Sequence, residues 1–138
     1  MHPLRFLPFL LVGLLASCSD STTEVKAKNE EPPPFEPLDV ASLPEMTDPI
    51  LARGRVVYLE ACDRCHRIGK AGAPRTGERD AWSARIDPGL EVLVERAING
   101  FESPKGNEMP ARGGKDELSD DDVTAAVKFM VHLVPPTL

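Results

Sequence analysis

The sequence predicts an all-α domain over residues 48–138, four or so short helices wrapped around one covalently attached prosthetic group. Three observations predict it. Apolar residues recur at helical spacing in several stretches, each bounded by an N-cap residue or by glycine and proline. Cys62-Asp63-Arg64-Cys65-His66 spells C-x-x-C-H, the attachment site of a c-type haem. The domain has about ninety residues and few aromatics, so its apolar faces alone make a marginal core that a large flat apolar group would complete.

The motif's spacing follows from its chemistry. Two thiols three positions apart share one turn and can add to the two vinyl groups of a haem, and the next side chain then stands under the iron as its proximal imidazole ligand. A lone CxxC is also found in zinc sites and redox dithiols. Here His66 follows at once, no second CxxC supplies four zinc ligands, and no histidine pair stands at finger spacing.

The first helix takes Thr47 or Asp48 as N-cap and Pro49 as its first residue. It sets Ile50, Gly54, Val57 and Tyr58 on one face and leads directly into the haem motif. After Gly69 the chain is loop-like through Gly72-Ala73-Pro74. A short helix from Arg79 to Ile86 carries Trp82 and Arg85, and Asp87-Pro88-Gly89 turns the chain. Leu90 to Ile98 is amphipathic with Leu90, Leu93, Val94, Ala97 and Ile98 inward, and Asn99-Gly100 stops it. A long loop then holds Gly106, Met109-Pro110 and Gly113-Gly114. The last helix has Ser119 as N-cap with Asp122 three residues on, close to a capping box. It turns Val123, Ala126, Val127, Met130 and Val134 inward and ends at Pro135-Pro136. Ile68, Leu90, Leu93, Val94, Ile98 and Phe101 are the expected apolar cover of the haem.

The residues ahead of the domain carry an address. Met1 to Arg5 form a short basic n-region, and Phe6 to Leu15 an apolar run too short to span a bilayer but right for a signal peptide. Residues 1–17 are therefore expected to be removed. Leu15-Ala16-Ser17-Cys18 looks like the lipobox of a bacterial lipoprotein, with Cys18 taking the lipid; the alternative is plain secretory cleavage that leaves a free thiol. Ser19 after the cysteine resembles lipoproteins forwarded to the outer membrane. Residues 18–47 repeat with no helical or strand period and read as a Pro-rich acidic tether, spanning roughly 90 Å if extended at about 3 Å per residue. Its charge balance is −5 against −2 for residues 48–138, so the acidity is concentrated in the tether and no nucleic-acid partner is implied.

A six-coordinate iron needs a second ligand, and the candidates are Met46, Met109, Met130, His132 and His2. His2 leaves with the leader, and Met46 lies in the tether. Met130 falls on the apolar stripe of the last helix, and His132 falls off it toward water. Met109 stands in a loop with no apolar period, stiffened by Pro110, where a thioether can reach across to iron. Its other reading is a gap-filling loop methionine.

Six segments occur in one order: Gly54-Arg55-Val56-Val57-Tyr58, the haem motif, Gly72-Ala73-Pro74, Trp82-Ser83-Ala84-Arg85, Met109-Pro110-Ala111-Arg112-Gly113-Gly114 and Leu118-Ser119-Asp120. Together they resemble a class I cytochrome c domain, and most of all the cytochrome c5 group. The resemblance implies the cytochrome c fold, with the Gly54/Tyr58 face crossing the last helix near Val127 and Met130. It implies His66 and Met109 as axial ligands, and the Pro74 carbonyl accepting a hydrogen bond from the His66 Nδ1–H. Trp82 and Arg85 resemble the residues that meet the haem propionates; the bland alternatives are a core-filling Trp and a solvated Arg. Many family members read Met-Pro-Pro-Lys-Gly-Gly, where this chain has Ala111 and Arg112. Some carry a further cysteine pair, which this chain lacks.

The expectation is a monohaem c-type cytochrome, not an enzyme, anchored at the periplasmic face of a bacterial membrane through Cys18, the outer membrane favoured. It would shuttle single electrons between redox proteins such as a dehydrogenase, reductase or terminal oxidase, with no small-molecule substrate. Arg64, Arg67 and Lys70 beside the motif are candidates to meet an acidic partner surface. The alternative is a gas-sensing or enzyme-associated cytochrome subunit whose sixth ligand is labile.

Overall fold

Asp48 opens the first helix. Its carboxylate accepts hydrogen bonds from the Ile50 and Leu51 amides at 2.7 and 3.2 Å, and Pro49 fills the first position, where no amide proton is needed. The structure, a computed structural model, describes residues 34–136. The leader, Cys18 and most of the expected tether lie outside them.

Helix α1 (Pro49–Val57) runs without a break through a π-helical stretch, Tyr58–Cys62, into α2 (Asp63–His66). The wider π turn rotates everything after it, so the face set by Gly54, Val57 and Tyr58 does not continue in register into the haem motif. Then come α3 (Arg79–Ile86), α4 (Leu90–Asn99), the two-residue strands β1 (Phe101–Glu102) and β2 (Glu108–Met109), and α5 (Asp120–His132). The strands pair antiparallel, Phe101 opposite Met109, where a plain loop was expected. Gly100 ends α4 with φ 83°, a left-handed conformation that suits glycine. Ser119 and Asp122 form a complete capping box at the start of α5.

Helix α5 sits between two apolar clusters. Val123, Ala126 and Val127 join Val57, Ala97 and Leu118 in one, and Phe129 and Met130 join Val40, Tyr58 and Trp82 in the other. Helix α1 crosses α5 at Gly54, where any Cβ would overlap the Ala125 carbonyl and crowd Phe129 Cβ. The expected neighbours are met, Val57 sharing a cluster with Val127 and Tyr58 with Met130, while Gly54 itself meets Ala125 and Phe129. Phe129 is fully buried against the Tyr58 ring, centroids 5.8 Å apart.

Two further expectations change. Ile50 is exposed and lies outside both apolar clusters, and Ile68 is exposed as well. The tether does not run to residue 47. Val40 is fully buried in the second cluster, with Leu38, Leu43 and Met46 packed on it. Arg55 on α1 donates to the carbonyls of Pro44 and Ala41 at 3.0 and 2.8 Å. Prolines spaced among apolar residues here make a belt across the helices, turned once at Val40–Ser42, which has no periodicity to reveal it.

Candidate functional site

His66 closes α2 and is buried, and the three residues Pro74, Arg75 and Thr76 clasp it. Its Nδ1 lies 2.9 Å from the Pro74 carbonyl oxygen. A carbonyl only accepts, so Nδ1 carries the proton and Nε2 keeps a free lone pair for a metal. The Thr76 amide donates to the His66 carbonyl at 2.8 Å, and the Thr76 hydroxyl bonds the buried Tyr58 hydroxyl at 3.1 Å. The Trp82 indole N–H donates to the Arg75 carbonyl at 2.8 Å, and its ring lies 6.1 Å from the imidazole. Burial pushes the His66 pKa below its ordinary value, the Pro74 hydrogen bond opposes this, and the nearby Arg85 charge adds to the lowering. A neutral imidazole is the form that ligates.

Cys62 and Cys65 are both half-buried and not bonded to one another, Cys62 one turn ahead of His66 and Cys65 directly before it. Burial, then the neighbouring Cys65 and Asp63, push the Cys62 thiol up to about 12. Among the described residues no three His, Cys, Asp or Glu side chains stand together as a conventional metal cluster.

A cleft of about 490 Å³ opens beside the motif, lined by Cys65, His66, Trp82, Leu93, Phe101 and Met109 among others. That size suits a cofactor, sites for which run roughly 300–1,000 Å³. A smaller void of about 20 Å³ continues it to Cys62, again bordered by His66 and Met109. Apolar walls, one thiol on the cleft and the other on the small void beside it, an imidazole with a free nitrogen and a thioether fit a covalently attached haem. When bound, the haem supplies a one-electron ferric/ferrous couple.

The other ligand candidates are distributed as follows. Met109 is half-buried on β2 and packs against the Val57 cluster. Met130 is buried in the Tyr58/Trp82 cluster and also borders the cleft. Met46 packs on that same cluster from the belt, and His132 is exposed. His2 lies outside the described residues.

Trp82 lines the cleft, and its indole N–H donates to the Arg75 carbonyl. Arg85 is exposed, borders the cleft and bonds the Ala81 carbonyl of its own helix. Of the expected apolar cover, Leu93 and Phe101 line the cleft, while Leu90, Val94 and Ile98 pack into the Val57 cluster. Arg96 was not anticipated: it borders the cleft with its guanidinium 4.5 Å over the Phe101 ring. On a helical wheel it reads as a solvated charge next to Ala97, and only the fold brings the aromatic under it.

Comparison with known proteins agrees with this geometry. The cytochrome c family model described as cytochrome c oxidase, cbb3-type, subunit III matches residues 49–130. Cytochrome c-555 of Chlorobaculum tepidum is 42% identical over 80 residues, covering 58% of this chain and 73% of that protein. Cytochrome c5 of Ectopseudomonas mendocina is 37% identical over 79 residues, covering 56% of this chain and 85% of that protein. A chain in the crystal structure of an electron transfer complex of nitrite reductase with cytochrome c superposes with a TM-score of 0.54 at 30% identity, covering 60% of this chain and 95% of that one. With 82 consecutive positions matched by the family model, the chain belongs to the cytochrome c family, as a class I monohaem domain that carries one covalent haem c through Cys62 and Cys65.

Proposed function

We propose that this chain is an electron carrier whose iron is held between His66 and Met109, exchanging single electrons with redox proteins. One observation carries the reading: the imidazole and the thioether border the same apolar cleft from different parts of the fold. Met109 is preferred to Met130 because Met130 is buried in the Tyr58/Trp82 cluster on α5, whereas Met109 is half-buried on β2 and borders the cleft. With both axial positions filled by the chain, no position is left for substrate, and transfer is outer-sphere. Pro74 orients the imidazole and raises its basicity, and the apolar walls exclude water.

Lys70, Arg85, Arg96 and Lys105 border the cleft, and Arg64 and Arg67 lie beside the motif. This basic surround suits an acidic partner surface, which steers encounter at low salt. The similarity to a chain in a nitrite reductase complex supports a redox enzyme as partner. The lipobox ending in Cys18 supports anchoring at the periplasmic face of a bacterial membrane, the outer membrane favoured by Ser19.

Spectra of the oxidised and reduced holoprotein with and without CO test the assignment. A methionine–iron charge-transfer band with no CO shift is expected. Rapid CO binding would instead make the chain a gas-binding subunit. Docking is tested by transfer rates to an acidic partner, which should fall as salt rises; rates indifferent to salt would remove the basic surround from the account.

A further inference from the structure

Arg112 stands three residues after Met109 in a left-handed backbone conformation, φ 53° and ψ 25°, that a residue with a side chain adopts only when its surroundings impose it. Those surroundings are specific. One guanidinium nitrogen, Nη1, donates to the Leu118 carbonyl at 2.7 Å, and the other, Nη2, pairs with the Asp120 carboxylate at 2.6 Å. Both acceptors belong to the entry of α5. The adjacent Gly113 comes so close to the haem motif that a Cβ would lie 2.8 Å from the Ala61 carbonyl oxygen. Residues 110–114 are therefore fastened at one side to α5 and at the other to the backbone just before Cys62. Arg112 and Gly113 also border the small void that reaches Cys62, His66 and Met109.

We propose that Arg112 is a positioning residue for the sixth ligand: its two-pronged grip on Leu118 and Asp120 holds the loop shut and keeps Met109 over the iron. The inference rests on Met109 being that ligand. The planar fork matters more than the charge. A guanidinium presents N–H groups in two fixed directions and meets a carbonyl and a carboxylate together, whereas an ammonium is a compact point donor on a flexible stem. Arg112→Lys therefore keeps the charge and loses the geometry. The fork also sets how often the loop opens, because an incoming ligand reaches iron only in the open fraction.

The test uses the reduced holoprotein, with CO as probe in stopped flow, and the methionine–iron band of the oxidised form. Arg112→Lys should speed CO binding about tenfold and weaken the band, with haem content and far-UV circular dichroism unchanged. Asp120→Asn, which leaves the Leu118 prong, should give a smaller rise. Arg112→Gly, which relieves the backbone and deletes the fork, should be at least as fast as Arg112→Lys. Met109→Ala sets the upper limit. Wild-type rates in both Arg112 variants overturn the proposal, and so does a fast Arg112→Lys beside a slow Arg112→Gly, which would trace the effect to backbone strain. If the wild type lacks the band and already binds CO as fast as Met109→Ala, the Met109 assignment itself has failed, and that signature differs from the other two.

Discussion

His66 and Met109 border one cleft but are held by different means. His66 is held by the neighbouring backbone: the Pro74 carbonyl at its ring Nδ1, the Thr76 amide at its main-chain carbonyl, with Trp82 holding Arg75 between them. Behind that clasp lie Tyr58, Phe129 and the belt through Val40, and Arg75 itself stacks 4.7 Å over the Phe35 ring. Met109 rides on a two-residue strand paired with Phe101 and packs on the Val57 cluster, and beyond its own short turns the loop after it is tied to α5 by the Arg112 fork and set close against Gly100 and Ala61. Buried backbone hydrogen bonds are costly to break, while a partly exposed side-chain pair is cheap. The difference teaches that one ligand is built to stay and the other is held by few, separable contacts, so perturbing the two sides should give different kinds of result.

The largest effect erases the comparison. A Cys62→Ser/Cys65→Ser double variant loses the covalent haem and with it the surface that both sides enclose. The loss should exceed the folding free energy of a small domain, about 5–15 kcal/mol, and leave a largely unfolded chain. Far-UV circular dichroism checks it: native helix content without haem would mean that the helices need no cofactor. Next comes the belt. Val40→Ala removes two methyl groups from a fully buried position and should cost about 2 kcal/mol in denaturant unfolding of the holoprotein. A cost near zero would show that residues 38–46 are an ornament on the clasp. Thr76→Val is smaller. It deletes the bond to the Tyr58 hydroxyl, for about 1 kcal/mol, and should speed exchange of the His66 ring N–H without admitting CO. CO access in that variant would remove the distinction between the two sides.

What could be read in advance was local. The C-x-x-C-H run, the Arg79–Ile86 helix and the Ser119/Asp122 cap each depend on residues within a few positions of one another. The hydrogen bond from His66 to Pro74, eight positions away, came only through resemblance to a family. What stayed hidden was set by distant contacts. Tyr58 packs on Phe129, a ring off the apolar stripe, as well as beside Met130, and a π turn shifts the phase of α1 before the motif. Val40 finds the groove beside Trp82 from a segment that looks like linker. Arg96 and Arg112 are charges on any helical wheel; their stacking on Phe101 and grip on Leu118 exist only once the chain has folded.

The smallest expected effect lies where α1 meets the start of α5, outside both ligand supports. Asp122 accepts from the Ser119 hydroxyl and pairs with Arg53 at 2.7 Å. The Ser119 bond, then the Arg53 contacts, hold its carboxyl below the ordinary value of 3.8. A carboxyl whose folded pKa is depressed binds its proton more tightly in the unfolded chain. Its contribution to stability is therefore complete above 3.8 and is lost as pH falls below that value toward the folded one. The group is solvent-exposed and screened, so the loss should be slight and should shrink further in salt. In acid unfolding of the holoprotein, Asp122→Asn should flatten the stability curve in that window and leave it unchanged at neutral pH apart from a constant offset. The charge-transfer band of the native fraction should not move across the same range, because Arg112 grips Asp120 and not Asp122. A band that fades together with the Asp122 titration would tie the α5 cap to the methionine loop, and the two ends of that helix entrance would have to be treated as one latch.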